Sequence, residues 1–140
     1  MLDRDLPIDQ VTEAYRTWRE SRGSNVDEVI EMMADEIEMR SVLDPGLPDD
    51  LAADRKTRDE ARQYFEILTR DWEMIDYPQE KIVADEDTVV WIGRCHWRHK
   101  PTGREINSPK VDIWTFRDGK AVKFMEMFDS LGFASTTGLI

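Results

Sequence analysis

One cysteine, two histidines and a shortage of basic residues narrow the possibilities before any motif is sought. Cys95 stands alone, which removes an intrachain disulfide and any thiolate cluster that needs several ligands. His96 and His99 lie three apart in a segment that reads as a strand, where odd spacing points side chains to opposite faces, so they do not share a metal and none is expected. Lys and Arg number 19 against 30 Asp and Glu, and the formal charge of −11 has the wrong sign for gripping a polyphosphate backbone, so nucleic acid is not an expected partner. No apolar run approaches the ~20 residues that span a bilayer. The start, Met1-Leu2-Asp3-Arg4-Asp5, lacks the net basic start and apolar stretch of a secretory signal. The expectation is a cytoplasmic protein with no membrane partner.

What is present suits one domain spanning residues 1–140. At this length, with 40% apolar and 35% charged residues, a core can form without disulfides or a structural metal. Val11, Ala14, Tyr15 and Trp18 recur at helical spacing after Asp9, an expected N-cap, in a helix ending near Gly23. Asn25 and Glu28 suggest a capping box for a short second helix with Val29, Ile30 and Met33 inward. Residues 36 to 43 then alternate Ile37, Met39 and Ser41 against Glu36, Glu38 and Arg40, the period of a strand. Asp44 to Lys56, with Pro45, Gly46, Pro48 and four aspartates, reads as a mobile acidic surface loop. Thr57 and Glu60 form a second capping box, opening a helix with Ala61, Tyr64, Phe65 and Leu68 on one face.

Beyond Arg70 the chain turns β-rich: 72–76, about 80–84, 88–99, 106–117 and 120–128, separated by Asp85-Glu86-Asp87, Pro101-Thr102-Gly103 and Asp118-Gly119. Short spacings favour antiparallel hairpins, and helices followed by a meander make an α+β pattern.

The order of these elements resembles the nuclear transport factor 2-like superfamily, in particular its SnoaL-like branch. The resemblance covers nearly the whole chain. It rests on Ala34-Asp35-Glu36 closing the second helix, Pro101-Thr102-Gly103 in a long hairpin, Phe116-Arg117-Asp118-Gly119-Lys120 in the next, and Met127-Phe128-Asp129 ending the last strand. It implies a cone-shaped α+β barrel: three N-terminal helices packed into a strongly bent, mixed but mainly antiparallel sheet, enclosing a pocket and dimeric through the outer sheet face. The fold hosts isomerases, epoxide hydrolases, cyclases, dehydratases and plain binding modules, so the pocket must decide among them.

In the strand 88–99, Val90, Ile92, Arg94, His96 and Arg98 share one face, expected to look into the pocket. Val89, Trp91, Cys95, Trp97 and His99 take the other, expected to be the outer face that a homodimer covers. Arg94-Cys95-His96 falls where the limonene epoxide hydrolase-like branch has Arg-x-Asp; the arginine is kept and the acid replaced by histidine. By the same resemblance, Asp112 matches the protonated acid of ketosteroid isomerases, Tyr15 their tyrosine donor, and Glu126 a second pocket carboxylate of the epoxide hydrolase branch. Ser41 stands where those isomerases keep their base, which leaves His96, with its ordinary pKa near 6.5, as the candidate proton carrier.

The expected site is therefore His96, Asp112, Tyr15, Arg94 and Glu126 at the bottom of a pocket lined by Trp18, Met39, Ser41, Trp72, Lys110, Trp114 and Phe124. His96 would move the proton, Asp112 and Tyr15 would hold an oxyanion, Arg94 would polarise, and Glu126 would orient the histidine. This describes an acid/base enzyme, of isomerase, cyclase, dehydratase or hydrolase type, acting on a compact apolar or amphipathic molecule without metal or organic cofactor. Bland readings stand beside it: Arg94 in a cross-strand ion pair, His96 and Tyr15 as core residues, Cys95 as small packing, and the whole as a non-catalytic binding or interaction module.

Overall fold

The computed structural model describes residues 6–140; Met1–Asp5, and with them the reading of the chain's start, lie outside the described residues. Helix α1 (Pro7–Glu20) begins two residues before Asp9, because Pro7 takes the first helical position, where a missing N–H costs nothing. Its stripe of Val11, Ala14, Tyr15 and Trp18 is buried. Helix α2 (Val26–Glu31) starts after Asn25, but the expected capping box does not form. Asn25 Nδ2 instead donates to Thr17 Oγ1 at 2.7 Å, tying α2 to α1. The helix is also shorter than its pattern suggests: Met33 and Ala34-Asp35-Glu36 belong to strand β1 (Met33–Ser41).

The acidic stretch is partly ordered by a 3-10 turn at Asp50–Ala52 and strand β2 (Arg55–Thr57), and Leu51 and Ala52 are buried. Helix α3 (Arg58–Asp71) opens as expected, with Thr57 Oγ1 accepting from Glu60 N at 3.1 Å and Glu60 Oε1 accepting from Lys56 N at 2.8 Å. Strands β3 (Trp72–Asp76), β4 (Gln79–Asp85), β5 (Thr88–His99), β6 (Glu105–Arg117) and β7 (Lys120–Met127) follow. Asp118 and Gly119 make the β6–β7 turn with φ of 51° and 80°, the left-handed values a two-residue hairpin of this type demands. A last helix, α4 (Ser130–Thr137), capped by Asp129, was not expected from the sequence.

The strands form a mixed, mostly antiparallel curled sheet of seven, ordered β2-β1-β7-β6-β5-β3, with β4 also on β5. Only β1 with β7 is parallel among the described pairings. Strands β3 and β4 share one edge of β5, β3 along His96–His99 and β4 along Thr88–Gly93. Between them the chain bends at Pro78, whose carbonyl accepts from Arg94 N at 3.0 Å. A Cβ on Gly93 would meet that oxygen at 2.2 Å, so glycine is required where β5 meets the bend. The helices fill the concave face, and no helix among the described residues is long and apolar enough to cross a membrane.

Candidate functional site

The faces of β5 are the reverse of the expectation. Trp91, Cys95 and Trp97 are buried on the concave side, while Arg94, His96 and Arg98 look outward. The ladder forces this: Trp91 is opposite Asp112 and Cys95 opposite Ser108, and directly opposed residues share a face. Arg94 accordingly donates to Asn107 Oδ1 at 3.1 Å, and His96 Nε2 lies 2.7 Å from Glu105 Oε1, both away from the pocket. The expected roles of Arg94 and His96 in a pocket cluster are thus corrected, as is the outer patch of Trp91 and Trp97.

Between the helices and the sheet lies a cavity in which the centre of a water-sized sphere can range over about 80 Å³, several times what one water needs. Its walls are mainly aromatic. Of the expected lining residues, Trp18, Trp72, Lys110, Trp114 and Phe124 are on the wall together with Tyr15, Asp112 and Glu126. Met39 is buried but packs off the wall, beside Phe124 in the ladder. Ser41 pairs in register with Glu126, yet its hydroxyl accepts from Leu43 N at 3.1 Å and does not line the cavity. That local bond is the habit of a serine at a strand end.

The polar corner of the cavity is built from β6 and β7. Alternation puts Lys110 and Asp112 on the same face of β6, and Asp112 stands opposite Glu126 of β7. Lys110 Nζ lies 2.5 Å from Asp112 Oδ1 and 3.3 Å from Glu126 Oε2. Two phenols close the cluster from the helix side. Tyr15 of α1 donates to Asp112 Oδ2 and accepts from Trp114 Nε1 at 3.1 Å. Tyr64 of α3 donates to Glu126, 2.8 Å from Oε1 and 3.0 Å from Oε2. Lys110, Asp112 and Glu126 are 6%, 1% and 4% exposed, so their charges are compensated by one another and hardly at all by solvent.

The electrostatics follow from burial and from this crowding. Burial alone would lower Lys110, but Asp112 and Glu126 outweigh it and hold the ammonium charged well above the ordinary lysine range. Glu126 is pushed up by burial and, in the same direction, by Asp112, against the opposing pull of Lys110. Burial, then Asp112, raises Tyr15; burial, then Glu126, raises Tyr64; both phenols are neutral donors. Cys95, also on the wall, is pushed up to about 11 by burial, which makes it an inert thiol at neutral pH.

Sequence reasoning missed Tyr64, Tyr77, Cys95 and Trp97 on this wall, together with Phe133 from the unforeseen α4. Tyr64 was visible only as part of an apolar helix stripe, and Tyr77 falls at the break between β3 and β4, where no periodicity marks it. Trp97 and Cys95 had a usable signal in the pleat of β5, once its face was known.

A curled mixed sheet wrapped on helices around an aromatic cavity defines the cone-shaped α+β class. A family model described as the SnoaL-like domain matches residues 11–124, and the chain belongs to that family, within the nuclear transport factor 2-like superfamily. Similar solved structures include a nuclear transport factor 2-like protein of unknown function from Burkholderia pseudomallei, 18% identical over 96% of this chain and 98% of that one, with a TM-score of 0.81. Another, from Burkholderia thailandensis, is 22% identical over 94% and 96%, with a TM-score of 0.78. TerC, co-crystallised with polyporic acid, is 18% identical over 97% and 99%, with a TM-score of 0.79. No curated protein matches this chain.

Proposed function

We propose that the protein is a small acid/base enzyme that moves a proton on a compact, mostly apolar molecule carrying a carbonyl or enol oxygen. The observation that carries this reading is the buried Lys110–Asp112–Glu126 cluster, with its two tyrosines, set into the wall of an otherwise apolar cavity. Burying such a cluster costs several kcal/mol per ion before pairing returns part of it. Placement at a cavity gives that expense a use.

Lys110 has three N–H donors and two carboxylate partners, which leaves one donor for a ligand oxygen on which negative charge develops. Glu126 takes a proton from the neighbouring carbon or hydroxyl and returns it at a second atom, the step shared by isomerisation, cyclisation and dehydration. Asp112, itself fixed by the Tyr15 hydroxyl, holds Lys110 in place. The proton carrier is thus Glu126 in place of His96.

The test is a thermal-shift screen against cyclic ketones, hydroxy-aromatics and polyporic acid, the last chosen because TerC was co-crystallised with it. Any stabilising ligand is then followed for deuterium uptake from heavy water. Stabilisation of the wild type with exchange lost in Glu126→Gln is expected. Undiminished exchange in that variant, or no stabilising ligand at all, overturns the reading.

A second reading, a non-catalytic binding module, is favoured by one observation: each charged group of the cluster already has a partner inside it. Binding without exchange would select it. For the quaternary state, a homodimer through the outer face is proposed on Val83, Val90, Ile113 and Met125, which form one apolar row across four strands, flanked by the exposed Met127. Sedimentation as a monomer at micromolar concentration would refute it.

A further inference from the structure

We propose that Tyr64 is a positioning residue that presents Glu126 to the cavity as the acid of the cluster that gains and loses the proton. The inference deepens the acid/base reading above and rests on it. It comes from a difference between two similar pairs. Asp112 is held on both oxygens by separate donors, Oδ2 by Tyr15 and Oδ1 by Lys110 at 2.5 Å. Glu126 is held more loosely. One phenol straddles both of its oxygens at 2.8 and 3.0 Å, and Lys110 reaches only Oε2, at 3.3 Å.

Among the described residues, Oε1 of Glu126 therefore has the Tyr64 hydroxyl as its only side-chain partner, leaving a lone pair open on a residue that lines the cavity. Asp112 serves as the tied counter-ion of Lys110, and Glu126 as the acid with room for a proton. The Tyr64 ring is fixed independently of its hydroxyl, packed edge-on against Phe65 with centroids 5.2 Å apart. The phenol is thus a rigid arm reaching from α3 across to β7, and it sets both the plane of the carboxyl and the strength of its hold on a proton.

The ionisable groups facing Glu126 come from every wall: Lys110 and Asp112 from β6, Tyr64 from α3, Tyr15 from α1, Tyr77 from the β3–β4 bend and Cys95 from β5. Of these, Tyr64 is hydrogen-bonded to it and Lys110 is paired with it as an ion. A phenol donates more strongly to a carboxylate than to a carboxylic acid, so removing it disfavours the ionised form.

The experiment is a carbon-13 NMR titration of glutamate carboxyl groups in the full chain from about pH 4 to about pH 9. The Glu126 signal is assigned by its absence in Glu126→Gln. Tyr64→Phe, which deletes only the hydroxyl, should raise the Glu126 midpoint by about one pH unit. Replacement of Tyr64 by a ring-fluorinated tyrosine, a stronger donor that keeps the hydroxyl, should lower it, and this second variant carries the test if Tyr64→Phe does not fold.

A residue that merely packs would lower the melting temperature and leave the midpoint alone. Equal midpoints in wild type and variants, with the signal titrating, overturn the assignment of Tyr64 and leave the acid/base reading intact. A Glu126 that does not titrate in the wild type overturns both.

Discussion

Lys110 stands between Asp112 and Glu126, 2.5 Å from one carboxylate and 3.3 Å from the other, and among the described residues is the only cation paired with either. Lys110→Met would keep the length of the side chain and remove its charge, leaving two acids buried with phenols alone for partners. The expected loss is about 3–5 kcal/mol of stability near neutral pH, the usual cost of breaking a buried ion pair from one side. Urea denaturation measures it. A loss under about 1 kcal/mol would mean that the two acids are not charged together in the folded protein.

The pH dependence has a definite sign. Glu126 is raised, by burial first and Asp112 next, so the folded chain keeps its proton at pH values where the unfolded chain has released it. Its contribution is full below the ordinary glutamate pKa of about 4.3 and is lost as the pH climbs through the raised value. Asp71 and Asp76, lowered chiefly by hydrogen bonds from Arg70 and Arg19, act the opposite way, giving stability that is lost on acidification. They are common to wild type and Glu126→Gln, so the difference between the two proteins isolates Glu126. Unfolding free energies at about pH 4 and about pH 8 should differ in favour of the variant at the higher pH, by up to about 1.4 kcal/mol for each unit of upward shift.

Gly93 is where β5 passes under the Pro78 carbonyl. Gly93→Ala would place a methyl group 2.2 Å from that oxygen and 2.5 Å from the Trp91 ring. One clash is with a backbone oxygen and the other with a fully buried indole, so the expected cost is about 3 kcal/mol or more, at the upper end for overpacking. A melting temperature within a few degrees of wild type, by circular dichroism, would show that the bend can shift.

Arg94→Ala and His96→Ala should leave the cavity and its ligand response untouched, because both side chains sit on the convex face with Asn107 and Glu105 as partners. Each should change stability by less than about 1 kcal/mol. Loss of ligand-induced stabilisation in either variant would contradict the placement of β5.

Much of the architecture was legible in the residues themselves. Thr57 and Glu60 announced α3, the unbroken run of β-formers from Thr88 to His99 announced β5, and the Asp118-Gly119 turn fixed the β6–β7 hairpin. The acidic and phenolic members of the cavity corner, Tyr15, Asp112 and Glu126, were found by resemblance and alternation within their own elements. The charges of Arg94, His96 and Arg98 point the face of β5 the wrong way. Turn length decides it instead: His99 N bonds to Arg104 O across a four-residue turn, which sets odd positions of β5 against even positions of β6. With Asp112 and Trp114 inward, Trp91 and Trp97 must be inward too, and Arg94 and His96 outward. Tyr64 was out of reach, since a tyrosine on an apolar helix stripe carries no mark of the partner its hydroxyl will meet 62 positions away. Helix α4 has no clear apolar period, and its stability comes from the Asp129 cap and from Arg104 and Thr102 bonding its last carbonyls.

The parallel join of β1 to β7 has a kinetic side. Met39 finds its ladder partner in Phe124, far along the chain, whereas β3 to β7 are linked to one another through near neighbours. Until β7 is in place, β1 has only the three-residue β2 beside it, a ribbon too small to persist in water. The meander can form early from local turns, but closing the cone means bringing distant ends of the chain together, the slow kind of step in chain topology. The hydrophobic faces of α1 and α3 remain wet during that search, so the time spent half-closed, more than the depth of the final minimum, governs how readily this chain aggregates on its way to the folded state.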